Sequence, residues 1–327
     1  MQAARPLTSA AEMAPSVTSA QAAIGVLGDA WTLRILRTVF RGQRRHSDFL
    51  AALGVSRAVL SDRLGKLTAA GVLERRLSDG AHPQYWLSES GLDLWSLFLA
   101  MWQWESDWGT AQDPDSWAPD LPRPQLTHIH CGHAMRPDLR CTTCQAQVSP
   151  FETRAWPQIQ APAAQSAVSG AVSGAGAASA PLFRRARSDG AVHGSTRPAQ
   201  RLIRVIGDRW NSAVVAAAFR GTRQFARFQA DLHIAPGQLS ARLQELQDLG
   251  ILRAQTYAGS RLQYRLTRAG IALFPITLEL MRWGQRWLQP HDTAAAVQHL
   301  PCGEALQARW HCSACNFELA RETVRFG

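Results

Sequence analysis

The sequence predicts a mainly α-helical fold with small β-hairpins (α+β), in which one domain occurs twice and a small Cys/His module follows each copy. Three observations carry this expectation. GDAWTLRILRTVFRG (Gly28–Gly42) aligns with GDRWNSAVVAAAFRG (Gly207–Gly221), with Gly, Asp, Trp, Phe, Arg and Gly coincident. Apolar residues in both stretches recur at helical spacing between cap and stop signals. HIHCGHAMRPDLRCTTC (His128–Cys144) and HLPCGEALQARWHCSAC (His299–Cys315) share one spacing: His, two residues, Cys-Gly, eight residues, Cys, two residues, Cys.

The first alignment holds at an offset of 179 without a gap for about 80 residues. Phe49 meets Phe228, Arg63-Leu64 meets Arg242-Leu243, Gly71 meets Gly250, and Trp104 meets Trp283. That is duplication of a whole domain rather than a short solenoid period. At the Cys motifs the offset is 171. The expected organisation is a disordered leader over residues 1–20, a first domain over 21–112, and a Cys/His module over 125–150. A flexible linker over 155–198, a second domain over 199–290 and a second module over 297–322 follow. The Ala-, Gly- and Ser-rich run 161–181 has no apolar face, and a coil of roughly 40 residues spans about 35 Å.

In the first copy Asp29 caps a helix carrying Leu33, Leu36, Val39 and Phe40 at helical spacing. Ser47 is expected to cap a short helix with Phe49, Leu50 and Leu53 inward, and Gly54 to make the turn. Ser56 caps a third helix with Leu60, Leu64 and Leu67 on one face, stopped at Gly71. Two short helices joined by a Gly-containing turn are a helix-turn-helix. VLERRL (Val72–Leu77) and QYWL (Gln84–Leu87) form a hairpin, the wing. Ser88 then caps one long helix. The second copy repeats the plan with Phe225 and Phe228, then Leu239, Leu243 and Leu246, a hairpin around Tyr257–Leu266, and a last helix capped by Thr267.

The chain of 327 residues is 46% hydrophobic and 18% charged, with a formal charge of +10 and a pI near 10.3. That balance favours an anionic partner, most simply double-stranded DNA. Lys66 is the only Lys, as a GC-rich genome would also produce, so the placement of charge carries the argument. Ten basic residues lie from Arg34 to Arg76, opposed by Asp48, Asp62 and Glu74. The acidic residues of this half gather behind, from Glu89 to Asp120.

The third helix is expected to enter the major groove with its N-terminal residues at base edges. Its outward face offers Arg57, Ala58, Ser61 and Asp62 in copy one, and Pro236, Gly237, Gln238 and Ala241 in copy two. Arg57 to guanine and Gln238 to adenine are the expected direct readers. Arg63 and Arg242 lie deeper, to touch phosphate or pair with nearby carboxylates. Arg75, Arg76 and His82 on one wing and Arg261 on the other suit the backbone or minor groove. Arg44, Arg45, Ser56, Arg223 and Ser240 complete the expected DNA-contacting set.

These marks together resemble the HxlR-type winged helix-turn-helix regulators of bacteria. They are Gly-Asp-x-Trp, Arg-Gly, Phe and Leu on helix two, Leu-Ser-x-Arg-Leu on helix three, the hairpin ending Tyr-x-Leu-Ser/Thr, and the Gly of the last helix. The second copy carries them at Gly207-Asp208, Trp210, Arg220-Gly221 and Leu239–Leu243, and departs where Pro236-Gly237 replaces Arg57-Ala58. The resemblance covers about 180 residues in two blocks. It implies a transcriptional regulator, more readily a repressor, that binds operator DNA as a two-fold unit through its terminal helices. Trp95, Trp102, Trp104 and Trp108 in one last helix and Trp283 and Trp287 in the other suit such pairing, either within the chain or between two chains. Burial of Trp102 and Trp283 between the copies is the specific expectation. A small-molecule effector between these helices is a further one.

Two copies of His-x2-Cys-x9-Cys-x2-Cys are a strong zinc signal, because zinc takes four N or S ligands in a tetrahedron. The expected ligands are His128, Cys131, Cys141 and Cys144 in one module and His299, Cys302, Cys312 and Cys315 in the other. That gives two structural zinc ions per chain, with a short hairpin bringing each pair of knuckles together. His130, His133 and His311 are rival ligands. The competing reading is thiol redox sensing through Cys141/Cys144 and Cys312/Cys315; another is a protein-interaction scaffold that no longer reads DNA. The N-terminus lacks the apolar run of a signal peptide and no stretch approaches a membrane span, so a cytoplasmic protein with reduced thiols is expected. No hydrolase elbow, phosphate loop or catalytic carboxylate pair is present, so no enzymatic activity is expected.

Overall fold

A computed structural model of the chain describes residues 19–77, 82–109, 125–155, 199–259, 261–289 and 297–326. Most of the leader, the linker and the tip of the first wing lie outside these residues.

In the first copy, α1 (Ser19–Leu27) precedes α2 (Ala30–Phe40), α3 (His46–Leu53) and α4 (Arg57–Ala69). The wing is β1 (Leu73–Leu77) antiparallel to β2 (Pro83–Leu87), in the register Arg75 opposite Tyr85. The last helix comes in two pieces, α5 (Glu89–Leu92) and α6 (Trp95–Trp108). The second copy repeats this as α7 (Ala199–Ile206), α8 (Arg209–Phe219), α9 (Phe225–Leu232), α10 (Pro236–Asp248), β7 (Leu252–Ala258), β8 (Arg261–Leu266), α11 (Arg268–Ile271) and α12 (Phe274–Trp287).

The expected caps account for most of these boundaries. Asp29 accepts from the Thr32 N–H at 3.0 Å and Ser56 from the Val59 N–H at 3.3 Å. Ser88 and Thr267 each accept, at 3.1 Å, from the N–H of a glycine three residues on, Gly91 and Gly270. Helix two starts one residue before Ser47, because the Asp48 carboxylate accepts from the Arg45 N–H at 3.1 Å. The last helix was expected to be continuous. It breaks where the chain tightens to a three-residue backbone bond, Leu94 N–H to the Gly91 carbonyl in copy one and Leu273 N–H to the Gly270 carbonyl in copy two. The Gly that both copies place in this helix has a packing cause. A Cβ at Gly91 would stand 2.2 Å from the Val72 carbonyl, and one at Gly270 would stand 2.3 Å from that of Ile251.

Two family marks also explain each other. Asp29, which caps α2, holds Arg63 of α4 at 3.1 Å, and Asp208 holds Arg242 of α10 at the same distance. The Asp of Gly-Asp-x-Trp and the Arg of Leu-Ser-x-Arg-Leu thus fix the recognition helix to the helix behind it. Leu60, Leu64 and Leu67, like Leu239, Leu243 and Leu246, are buried, which sets the outward face of each recognition helix.

The copies face each other through α6 and α12, and α1 of the first copy packs on α12 of the second. The Trp104 indole N–H donates to the Ala269 carbonyl at 2.9 Å, and the Trp283 indole N–H donates to the Ser90 carbonyl at 2.8 Å. These two bonds are related by the repeat offset, so they mark a local two-fold axis. Trp102 is buried too, and the bond from copy one that matches that of Trp283 by the repeat offset is made by Trp104.

The Cys/His segments interleave. β3 (Leu126–His128) lies between β4 (Ala134–Met135) and β11 (Val324–Phe326). β5 (Pro137–Cys141) pairs antiparallel with β10 (Ala308–Cys312), and β6 (Thr153–Ala155) with β9 (Val297–His299). In β5–β10, Cys141 stands opposite Ala308, Cys312 opposite Pro137, and Leu139 opposite Trp310 at the centre. The same two-fold relation therefore passes between Leu139 and Trp310.

Glu245 of α10 gathers Arg204 of α7 at 2.7 Å, Arg242 at 2.7 Å and the Asn211 amide of α8 at 3.2 Å. Burial alone would raise its pKa, but these donors outweigh it and hold the carboxyl below its ordinary 4.5. A carboxylate depressed in the folded state stabilises above its unfolded pKa, and loses that contribution as pH falls through the folded value. Glu245→Gln should lower stability by about 1–3 kcal/mol at pH 7, and by less at pH 3. Urea unfolding at both pH values measures this; equal losses at the two would refute it.

Candidate nucleic-acid interface and metal centres

The two recognition helices present different chemistry at equivalent places. On α4, Arg57, Ala58, Ser61 and Asp62 are exposed; on α10, Pro236, Gly237, Gln238, Ser240 and Ala241 are exposed. Helix α4 is capped by the Ser56 hydroxyl, so that oxygen is engaged with the Val59 N–H. Helix α10 has Ala235 at its N-cap, without a side-chain bond, and begins with Pro236. Pro has no N–H to leave unsatisfied there, which explains how Pro236-Gly237 replaces Arg57-Ala58 without breaking the helix. Ser61 Oγ lies 3.3 Å from His46 Nε2, a residue of helix two that the sequence reading passed over.

The other expected contact residues divide. Arg45, Arg75, Arg223 and Arg261 are exposed. Arg76 is exposed but is held by Glu74 at 2.8 Å and lies over the Trp86 ring. Arg63 and Arg242 are engaged with the carboxylates described above. Arg44 is half-buried and has partners inside the head. Its guanidinium donates to the Val39 and Gln43 carbonyls and stacks 4.7 Å from the Trp86 ring centroid. Burial also lowers its pKa, and these contacts tie the end of α2 and the loop after it to the wing.

All eight expected metal ligands are brought together, but in crossed sets. One cluster is His128, Cys131, Cys312 and Cys315; the other is Cys141, Cys144, His299 and Cys302. The expectation that each copy closes its own set is overturned. The nine residues after Cys131 do not fold back as a hairpin joining the knuckles. They run out as β5, whose five residues carry Cys141 roughly 15 Å along the strand to the cluster begun by His299. β10 does the same in reverse for Cys312. No signal in the sequence could separate the two groupings, since both copies have identical spacing.

The donor geometry fits zinc. With a metal–sulfur bond of about 2.3 Å, the edges of a tetrahedron are about 3.8 Å. Cys131 Sγ to Cys312 Sγ and Cys141 Sγ to Cys302 Sγ are both 3.9 Å. His128 Nδ1 lies 3.5 Å from Cys131 Sγ and 3.2 Å from Cys315 Sγ. His299 Nδ1 lies 3.4 Å from both Cys144 Sγ and Cys302 Sγ. The backbone N–H of His133 is foremost in bringing the Cys131 thiol down to about 6, whereas burial and the facing thiols push Cys315 of the same cluster and Cys302 of the other up. The rivals lie outside both clusters: His130 stacks on Phe317, His133 is exposed, and His311 Nδ1 faces the Arg309 carbonyl.

The HxlR-like helix-turn-helix family model matches residues 26–113 and 205–292, once on each copy. The chain belongs to this family. Relatives include the uncharacterized HTH-type transcriptional regulator MT3179 of Mycobacterium tuberculosis (strain CDC 1551 / Oshkosh), 34% identical over 127 residues that cover 38% of this chain and 80% of that protein. The HTH-type regulator YvaP of Bacillus subtilis (strain 168) is 30% identical over 94 residues, covering 28% of this chain and 87% of that one. The crystal structure of PA1607 is 33% identical and covers 41% of this chain and 95% of that one, with a TM-score of 0.36. Membership makes the HxlR-like chain a helix-turn-helix transcriptional regulator, a DNA-binding class, and not an enzyme. Among the described residues no helix is long and apolar enough to cross a membrane.

Arg44→Ala should destabilise the first head by about 1–3 kcal/mol through the lost carbonyl partners and ring contact. Arg45→Ala, at an exposed site, should stay within about 0.5 kcal/mol. Urea melts of the two variants compare them directly, and equal losses would remove the structural role assigned to Arg44.

Proposed function

We propose that this HxlR-like chain is a sequence-specific repressor that grips one operator duplex with two unlike heads, held together by two structural zinc ions. The observation that carries the reading is the pair of recognition helices related by a local two-fold axis but bearing different outward residues. Arg57 reads guanine in one half-site and Gln238 reads adenine in the other. Arg45, Arg75, Arg223 and Arg261 contact the backbone, and Ser61 and Ser240 assist at the groove edge. The half-sites are unequal, about 34 Å apart on one face of the duplex. Reading operator DNA places the protein's work in the cytoplasm.

Zinc would be held by His128, Cys131, Cys312 and Cys315 at one site and by Cys141, Cys144, His299 and Cys302 at the other. With four protein ligands each, both sites are structural, and metal would supply folding energy to segments too short for a core of their own. The crossed ligand sets make each ion a tie between the copies. The cleft beside Trp95, Trp287 and Trp310 has its main charges paired internally, with Arg282 held by Asp93 and Glu279. A small-molecule effector would bind in this cleft.

Selection of bound DNA by the full chain should return two different half-sites. Arg57→Ala should relax preference in one and Gln238→Ala in the other, each costing about 1–3 kcal/mol, with affinity falling steeply as salt is added. A perfect palindrome, or no retention in dilute buffer, would overturn the two-headed reading. Metal analysis tests the crossed sets separately. The native chain should hold about two zinc ions. Cys131→Ser with Cys312→Ser should keep about one, and Cys131→Ser with Cys141→Ser should keep none. The reverse pattern would restore the within-copy grouping.

A further inference from the structure

The interface between the copies is two-fold in its skeleton and one-sided in its chemistry. The two indole bonds, the β5–β10 register and the crossed ligand sets are each related by the repeat offset. A pair made of two first copies, or of two second copies, would keep all of them. Any preference for joining unlike copies must come from elsewhere.

On one side of the axis lies a buried polar network that the other side lacks. Glu279 of α12 is 4% exposed. Its carboxylate accepts from the Ser96 hydroxyl of α6 at 2.7 Å, from the Arg282 guanidinium at 2.8 Å and from the Trp310 indole at 2.8 Å. Arg282 reaches across the interface to the Asp93 carboxylate at 3.0 Å, to the Asp93 carbonyl at 3.1 Å and to Ser96 Oγ at 2.9 Å. The Trp287 indole donates to Asp93 at 2.8 Å. The equivalent residues on the opposite side are Ala100 for Glu279, Gln103 for Arg282, Ala272 for Asp93, Pro275 for Ser96 and Leu139 for Trp310.

Joining two second copies would leave Glu279 and Arg282 against Ala272 and Pro275, with neither the carboxylate nor the hydroxyl that satisfies them. Joining two first copies would set Asp93 against Gln103, without its guanidinium. Removing one partner of a buried ion pair costs far more than the intact pair contributes, so the network discriminates more strongly than it stabilises. A second feature acts in the same sense. Helix α1 crosses α12 at Gly284, where a Cβ would stand 2.0 Å from the Ser19 carbonyl and 3.2 Å from Ala23 Cβ. The equivalent of Gly284 in the first copy is Glu105. Helix α1 therefore fits the second copy's last helix and collides with its own kind.

We infer that the Asp93–Ser96–Glu279–Arg282–Trp310 network, with Gly284, makes this an interface that accepts only the unlike repeat. The inference rests on the intramolecular pairing proposed above and adds its selectivity. A full-length chain with a specific protease site placed within residues 161–181 tests it. Cleaved without denaturation, the fragments should stay together as a 1:1 complex. Immediate separation would remove the pairing itself. The cleaved chain is then unfolded, refolded with zinc chloride and weighed by native mass spectrometry. Unlike pairs should exceed like pairs by at least about tenfold over the random ratio. A random mixture from the native sequence would overturn the selectivity while leaving the pairing standing.

The combination Asp93→Ala, Glu279→Ala and Arg282→Gln gives each position the residue of its counterpart, and should reduce the preference about tenfold. An unchanged preference also counts against the inference. Should that variant fail to refold, the intact chain decides. A double-mutant cycle of Asp93→Ala and Arg282→Gln, read by urea unfolding, should show coupling of about tenfold in the unfolding constant. Additive effects would overturn it.

Discussion

Strand β5 runs antiparallel to β10, and most of the molecule's organisation follows from that pairing. Five extended residues carry Cys141 away from the knuckle that precedes it and deliver it beside His299. β10 carries Cys312 to His128 by the mirror path. Each cluster is therefore complete only when both copies are in place. The axis between Leu139 and Trp310 is shared with the Trp104 and Trp283 indole bonds, so the modules and the last helices enforce one relation between the heads.

The heads themselves are built to be rigid on one side and open on the other. Behind each recognition helix an Asp both caps a neighbour and holds an Arg, and three leucines are buried. In front, short polar and basic residues stand free of the core. This division lets the outward residues of α4 and α10 diverge while the buried leucines stay in place, even to the extent of Pro236-Gly237. The same freedom is absent at Arg44, whose charge is tied to backbone carbonyls beneath the wing.

Duplication within one chain relaxes a constraint that binds any homodimer. A symmetric interface must satisfy every residue twice, so a buried Glu such as Glu279 would need partners on both sides. Here one side can hold Asp93, Ser96, Glu279 and Arg282 while the other holds Ala272, Pro275, Ala100 and Gln103. The sequence comparison of the two repeats already contained these differences. They read as ordinary drift until the helices are seen to meet, because a charge on an apolar helix face has no meaning without its partner.

Periodicity, caps and motif spacing were sufficient to find two winged heads, their recognition helices and the eight Cys and His residues that cluster. These are local properties: a leucine every third or fourth residue, an Asp or Ser before a helix, a pair of Cys or His with two residues between them. The break at Leu94, the duty of Arg44 and the grouping of the ligands were not legible, because each depends on a contact between segments far apart in the chain. Identical spacing in the two modules leaves within-copy and crossed ligation equally consistent with the sequence. The tertiary structure chose between them, since an extended β5 cannot turn back within its own length and finds its hydrogen-bond partners on β10 of the other copy.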